Sequence, residues 1–228
     1  MRLLLPLTVL VQIFTGAGLV LGIGLFIDKI APTNIAYLAT GAVVISLVTV
    51  GLVMGPQLVA QQRQEGSYDY VASMPVPRSA AVAAWLALNV AVAIPGLVGA
   101  LLVAAWRYHI VFHVSWSVVP ATLLTLTAGV MLGHAYAHTV KQPQLISLIS
   151  QVLIFAIFGF SPIAFPVENL PGWFAEVHRF LPFMHMGNVV RAGLTDGLAT
   201  DVGFSYLILG GWALAAVALA AFVSRRRG

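Results

Sequence analysis

Six stretches of nearly unbroken apolar residues, separated by polar breaks, recur from one end of the chain to the other. They cover approximately 5–27, 35–55, 80–105, 118–139, 144–163 and 204–223. Each comes close to the roughly twenty residues a helix needs to cross a hydrocarbon layer about 30 Å thick. Lipid offers an open backbone no hydrogen bonds, so runs of this length predict helices that satisfy their own amides. The pattern therefore predicts an all-α integral membrane fold of six transmembrane helices in a single domain, 1–228. The first run continues to Ile27, too long for a signal-peptide core, and is read as a retained span.

Two breaks are richer than plain loops. Residues 57–79 are polar and place Leu58 and Val59 against Gln62, Arg63 and Glu65, the pattern of an amphipathic helix at the inner surface. Gly66 and Ser67 interrupt it, and Pro75 and Pro77 close the segment leading to the third run. The second break, 164–203, is too long and too apolar for a simple connection. Pro171 and Pro182 suit first helical turns and Gly197 suits a stop, which predicts short helices at about 171–180 and 182–195. Their apolar character predicts a re-entrant pair that dips into the outer leaflet.

Composition strengthens the membrane reading: 60% of residues are hydrophobic and 8% charged, against roughly a quarter charged in a soluble domain. A net charge of +4 would suggest nucleic acid in a soluble protein, but here the basic residues sit at span ends, so no nucleic-acid partner is expected. With the N-terminus inside, Arg2, Arg63, Arg78, Lys141, Arg225, Arg226 and Arg227 are cytoplasmic, and Lys29, Arg107, Arg179 and Arg191 lie outside. Seven against four puts both termini in the cytoplasm. Trp106, Tyr108 and Trp116 suit an outer aromatic belt.

Within the spans, Gly18 and Gly22 form a small-xxx-small pair suited to close helix packing. Asn89 and Pro95 predict a polar contact inside the bundle and a kink. Gln12, Asn89, Thr122 and Thr125, with Ser147 and Gln151, are the amides and hydroxyls of an otherwise apolar lining, which suits an amphiphilic or lipid-like cargo. His134 and His138 stand four apart on one helix face, a spacing that can share a metal. With no evident third ligand, interfacial histidines are the expected reading, and an intramembrane metalloenzyme the remote one.

The chain has no Gly-x-x-x-x-Gly-Lys-Ser/Thr loop to cradle a nucleotide phosphate and no Gly-x-Ser-x-Gly nucleophile elbow. All seven carboxylates fall outside the spans, which argues against a proton-coupled carrier. No catalytic or metal residue is expected, and any ATP-driven work needs a second chain.

Two stretches carry a family resemblance. One is Glu65-Gly66-Ser67 followed by Ser73-Met74-Pro75-Val76-Pro77-Arg78; the other is Ser161-Pro162, Phe165-Pro166-Val167-Glu168-Asn169-Leu170-Pro171-Gly172-Trp173, Pro182 and Arg191-Ala192-Gly193. In order and spacing they resemble the membrane permease subunits of ATP-binding-cassette type-2 exporters. The resemblance implies a plasma-membrane homodimer served by two cytoplasmic ABC ATPase subunits that hold the ATP and Mg, the permease itself binding no cofactor. It implies an ATPase-coupling role for Gln61, Arg63, Glu65 and Gly66, and an outer gate at Pro162, Phe165, Pro166, Trp173, Pro182 and Arg191. The implied cargo is amphiphilic and drug-like or lipid-like. Haem export in cytochrome maturation and polysaccharide or glycolipid export are the alternatives. The likeness departs at the start, where family members have an amphipathic helix before the first span and here only Met1-Arg2 precede the apolar run. Whether that helix is lacking or precedes the given start stays open.

Overall fold

The computed structural model describes residues 4–26 and 32–225, with side chains over 7–22, 33–70, 73–77 and 80–223. Residues 27–31, between the first two apolar runs, lie outside the described residues. So do Arg2, Lys29, Arg226 and Arg227 of the charge count, and the side chains of Arg78 and Arg225.

Every regular element among the described residues is helical. The chain runs through α1 (Leu4–Phe26), α2 (Pro32–Thr49), a π-helical turn (Val50–Met54), α3 (Gly55–Gln64), α4 (Tyr68–Ala72) and α5 (Arg78–Tyr108). There follow α6 (Val118–Thr139), α7 (Pro143–Phe160), a 3-10 turn (Val167–Asn169), α8 (Gly172–His178), α9 (Pro182–Leu194) and α10 (Val202–Arg225). Five helical stretches among the described residues are long and apolar enough to cross a membrane: Thr33–Gln64, Ala80–Tyr108, Val118–Thr139, Pro143–Phe160 and Val202–Val223. In α1, the expected first span, the described apolar stretch is the shorter Leu7–Gly22.

The main correction concerns the second span. The pattern predicts a span that ends at 55 and a separate amphipathic helix after it, yet the helix runs unbroken from Thr33 to Gln64, through Gly55-Pro56. A proline ring collides with the carbonyl four residues earlier in a regular α-helix. Here the preceding turn widens: the Gly55 amide bonds to the Val50 carbonyl, five residues back, so the helix passes through Pro56 without breaking. Two smaller shifts have local causes. Helix α2 begins at Pro32 rather than at about 35, since proline in a first turn forfeits no helical bond. Helix α7 stops at Phe160 instead of continuing to 163, because Ser161 precedes Pro162 and is extended (φ −88°, ψ 134°).

The α2–α3 rod is the axis of the bundle. Helix α1 packs on α5 and α2, α5 also on α2, and α6 on the π turn, α9 and α10. The core gathers around Val43, Val44, Leu47 and Val48 of the rod with Ala93, Ala100, Leu126, Met186 and Val190. Outward faces are apolar: Phe14, Leu102, Phe155, Leu207 and Leu214 are all exposed, as lipid-facing helices require.

Close approaches occur at other glycines than expected. A Cβ at Gly18 or Gly22 would meet nothing within 4 Å, so that pair makes no seam with the described residues. At Gly16 it would come within 2.3 Å of the Gly96 carbonyl oxygen, and at Gly133 within 2.1 Å of the Gly51 carbonyl oxygen.

Candidate functional site

Two polar constellations sit along the α2–α3 rod, one near its start and one at its far end. The first centres on Arg191, wholly buried in α9. Its Nε donates to Thr40 Oγ1 at 3.1 Å, its Nη1 to Asn188 Oδ1 at 3.3 Å and its Nη2 to the Ile163 carbonyl at 2.7 Å. The guanidinium lies over the Tyr37 ring, 3.4 Å from its centroid. All these partners are neutral. A buried charge normally requires a counter-charge or full hydrogen bonding, and Arg191 takes the second route with a π face added.

The chain of bonds continues through α9 into α10. Asn188 Nδ2 donates to Ser205 Oγ at 3.3 Å, and buried His185 bridges Ser205 Oγ at 3.1 Å and the Arg179 carbonyl at 2.9 Å. Since a carbonyl only accepts, His185 Nε2 carries the proton and Nδ1 accepts from Ser205. Thus His185, Asn188 and Arg191, three residues apart on α9, join the rod to α10. Their spacing was visible in the sequence, whereas Tyr37, Thr40 and Ser205 carried no such signal.

Arg191 also clamps the turn after α7. Ile163 is fully buried, and the Ile163–Ala164 backbone crosses Gly41 so closely that a Cβ there would lie 2.5 Å from Ala164 Cα. Of the residues assigned to the gate, Pro162 is buried in this turn and Pro182 is buried in the first turn of α9. Phe165 and Pro166 are half-buried, whereas Trp173, in α8, is 72% exposed and takes no part in the Arg191 cluster. The predicted helices at 171–180 and 182–195 correspond to α8 and α9. Between α7 and these helices lies a cavity of about 260 Å³, walled mainly by Leu153, Phe160, Phe174, Leu181 and Phe183.

At its other end the rod presents Gln61, Arg63, Glu65 and Gly66. Gln61 Nε2 donates to Glu65 Oε1 at 2.7 Å, and both residues are exposed. Arg63 donates through Nη1 to the Val140 carbonyl, stands 4.6 Å over the Tyr68 ring, and keeps Nη2 buried without a hydrogen-bond partner among the described residues. Gly66 closes the helix in the left-handed region at φ 72°. The Ser67 amide returns to the Gln62 carbonyl at 3.0 Å and the Gly66 amide to Arg63 at 3.3 Å, which is a Schellman stop. Val59 and Ala60 bury the opposite face, towards α6 and α7. His134 and His138 stack at 3.9 Å, with Tyr68 5.9 Å from His138. No cluster of three or more metal-ligating side chains occurs among the described residues.

The residues expected to line a substrate path are spread over α1, α5 and α6. Gln12 is buried and donates to the Met54 sulfur of the π turn. Asn89, expected to make a polar contact inside the bundle, bonds the Trp85 carbonyl of its own helix at 2.7 Å. Thr122 is half-buried and Thr125 fully buried in α6. No hydrogen bond among the described residues joins either threonine to Gln12 or Asn89. Gln12 Oε1, Thr125 Oγ1 and Ser161 Oγ are buried without a partner among the described residues.

What the arrangement offers is mechanical. A single helix carries an exposed polar end and, some twenty residues away, the platform on which α9 and the post-α7 turn are held. Comparison with known proteins finds no curated protein that matches. Comparison with protein families matches residues 12–222 to the family described as ABC-2 family transporter protein.

Proposed function

The chain belongs to the ABC-2 transporter family, and we propose that it is the permease of an ATP-driven exporter whose separate ATPase subunits dock at the α3 end of the rod. In this reading α1, the α2–α3 rod, α5, α6, α7 and α10 are six spans in the plasma membrane, with both termini cytoplasmic. The permease works as a homodimer with two ATPase subunits. ATP and Mg reside on those subunits, and this chain, without a nucleotide site of its own, binds no cofactor. Helices α8 and α9 form the re-entrant outer gate, and the cargo is an amphiphilic, drug-like or lipid-like molecule that leaves the cytoplasm or inner leaflet.

One observation carries the reading: Thr33–Gln64 is one helix, with Gln61, Arg63, Glu65 and Gly66 at one end and the Arg191 platform near the other. A push received by an exposed, Gly66-terminated end travels along a stiff rod to the segment that holds the outer turn. The buried atoms left unpaired among the described residues, Gln12 Oε1, Thr125 Oγ1 and Ser161 Oγ, support a packed resting state that rearranges during transport. The apolar cavity beside α8 supports an amphiphilic cargo.

The test is reconstitution of the chain with its co-expressed ATPase in lipid vesicles. Chain-dependent ATP hydrolysis and ATP-dependent movement of a fluorescent amphiphile towards the extracellular face are expected. Failure of any ATPase to co-purify, with Arg63→Ala and Glu65→Ala leaving hydrolysis and flux unaltered, sinks the proposal.

A further inference from the structure

The geometry points to Tyr136 as a positioning residue that holds the π turn of the rod in register, so that a displacement at Gln61–Gly66 reaches the Arg191 platform instead of being absorbed at Pro56. This inference rests on the coupling role proposed above for the α3 end.

In an α-helix the Leu52 carbonyl would accept from the amide of residue 56, and Pro56 has none. Tyr136 supplies the missing donor from α6, its Oη lying 2.6 Å from the Leu52 carbonyl oxygen. Tyr136 Oη also lies 2.8 Å from Ser150 Oγ of α7. The carbonyl can only accept, so the single phenolic proton points at Leu52, while the Ser150 hydroxyl has the Ile146 carbonyl of its own helix as acceptor at 2.9 Å. The Tyr136 bond thus ties α6 to the rod at the turn where its internal ladder is interrupted, with the Ser150 hydroxyl of α7 packed against the phenol.

The contact beside it allows little slippage. A Cβ at Gly51 would lie 2.6 Å from the Val130 amide nitrogen, and one at Gly133 would meet the Gly51 oxygen at 2.1 Å and the Pro56 ring at 3.2 Å. Backbone therefore meets backbone, with no flexible side chain between to yield. The glycines make a fulcrum, while the Tyr136 bond fixes the angle at which the rod crosses it. Without that bond, the π turn can exchange its hydrogen-bond pattern and take up the motion locally, as such turns do at functional sites.

The experiment compares wild type, Tyr136→Phe, Pro56→Ala and the double variant Pro56→Ala/Tyr136→Phe, each reconstituted with the ATPase. The readouts are cargo moved per ATP hydrolysed and, independently, the Tm of the permease alone. Tyr136→Phe is expected to keep hydrolysis within about twofold but to lower cargo per ATP about tenfold, the scale of one lost hydrogen bond. In the double variant the Pro56→Ala change restores an amide to face the Leu52 carbonyl, so the phenol becomes dispensable and cargo per ATP returns towards the Pro56→Ala value. A lowered Tm with an unchanged ratio would show Tyr136 to be merely structural and overturn the proposal, as would failure of Pro56→Ala to rescue Tyr136→Phe. If wild-type chain stimulates no hydrolysis, the transporter reading fails, which is a different outcome from an unchanged ratio in Tyr136→Phe alone.

Discussion

The Arg191 guanidinium stacks on the Tyr37 ring, 3.4 Å from its centroid, while its three nitrogens bond Thr40, Asn188 and the Ile163 carbonyl. A planar fork satisfies all four contacts at once, and an ammonium cannot. Arg191→Lys is therefore expected to destabilise the permease by about 2–4 kcal/mol, from charged hydrogen bonds and a desolvated cation–π contact. Thermal unfolding in detergent checks this, and a Tm within experimental error of wild type would refute it.

Gly41 and Gly18 make opposite predictions. A Cβ at Gly41 would press on Ile163 and Ala164 backbone at 2.5–3.0 Å, so Gly41→Ala should cost about 1–3 kcal/mol through overpacking. At Gly18 nothing lies within 4 Å. Gly18→Ala should leave stability unchanged or raise it by up to about 1 kcal/mol through helix propensity. Both variants are compared by Tm in the same detergent, and the prediction requires the order Gly18→Ala above Gly41→Ala.

Gly66 terminates the coupling end at φ 72°. A Cβ there is expected to cost about 1–2 kcal/mol, less for asparagine, which tolerates this region. Gly66→Ala should weaken ATPase co-purification and hydrolysis, with Gly66→Asn in between. Equal recovery of the ATPase with all three chains would separate the helix stop from docking.

Trp173 is 72% exposed, with its ring 5.1 Å from that of Phe174. Trp173→Ala should stay within about 0.5 kcal/mol of wild-type stability. Export should still fall if the residue gates, and unchanged flux in vesicles would remove Trp173 from the gate.

Some features were legible because local chemistry alone enforces them. The limits of α6 match the expected 118–139, α9 begins at Pro182 as a first-turn proline suits, and α8 begins one residue after Pro171, which caps it. Gly66 stops α3 because a left-handed position favours glycine. The passage through Pro56 was not legible. Local rules read Gly-Pro as a stop, and the donor that replaces the lost amide, Tyr136, lies 84 residues from Leu52 in the chain. The site was legible in part: Arg191 and Pro162 were marked for the region that proved buried, but Arg191 was not marked as its centre. Asn89 was marked for a polar contact inside the bundle, but not for which one: a short amide on a helix reaches its own carbonyl four residues back.

The sequence by itself determined that this is an apolar, helical, multi-pass chain, because a hydrocarbon solvent leaves no other way to satisfy twenty consecutive backbone amides. It also determined where glycine and proline punctuate the connections. Only the tertiary structure decided that two expected elements are one rod, that a buried cation is housed by neutral partners, and which glycines touch. Those outcomes depend on groups far apart in the chain. The bond between Arg191 and Thr40, 151 residues apart, exists only once α9 has packed on α2.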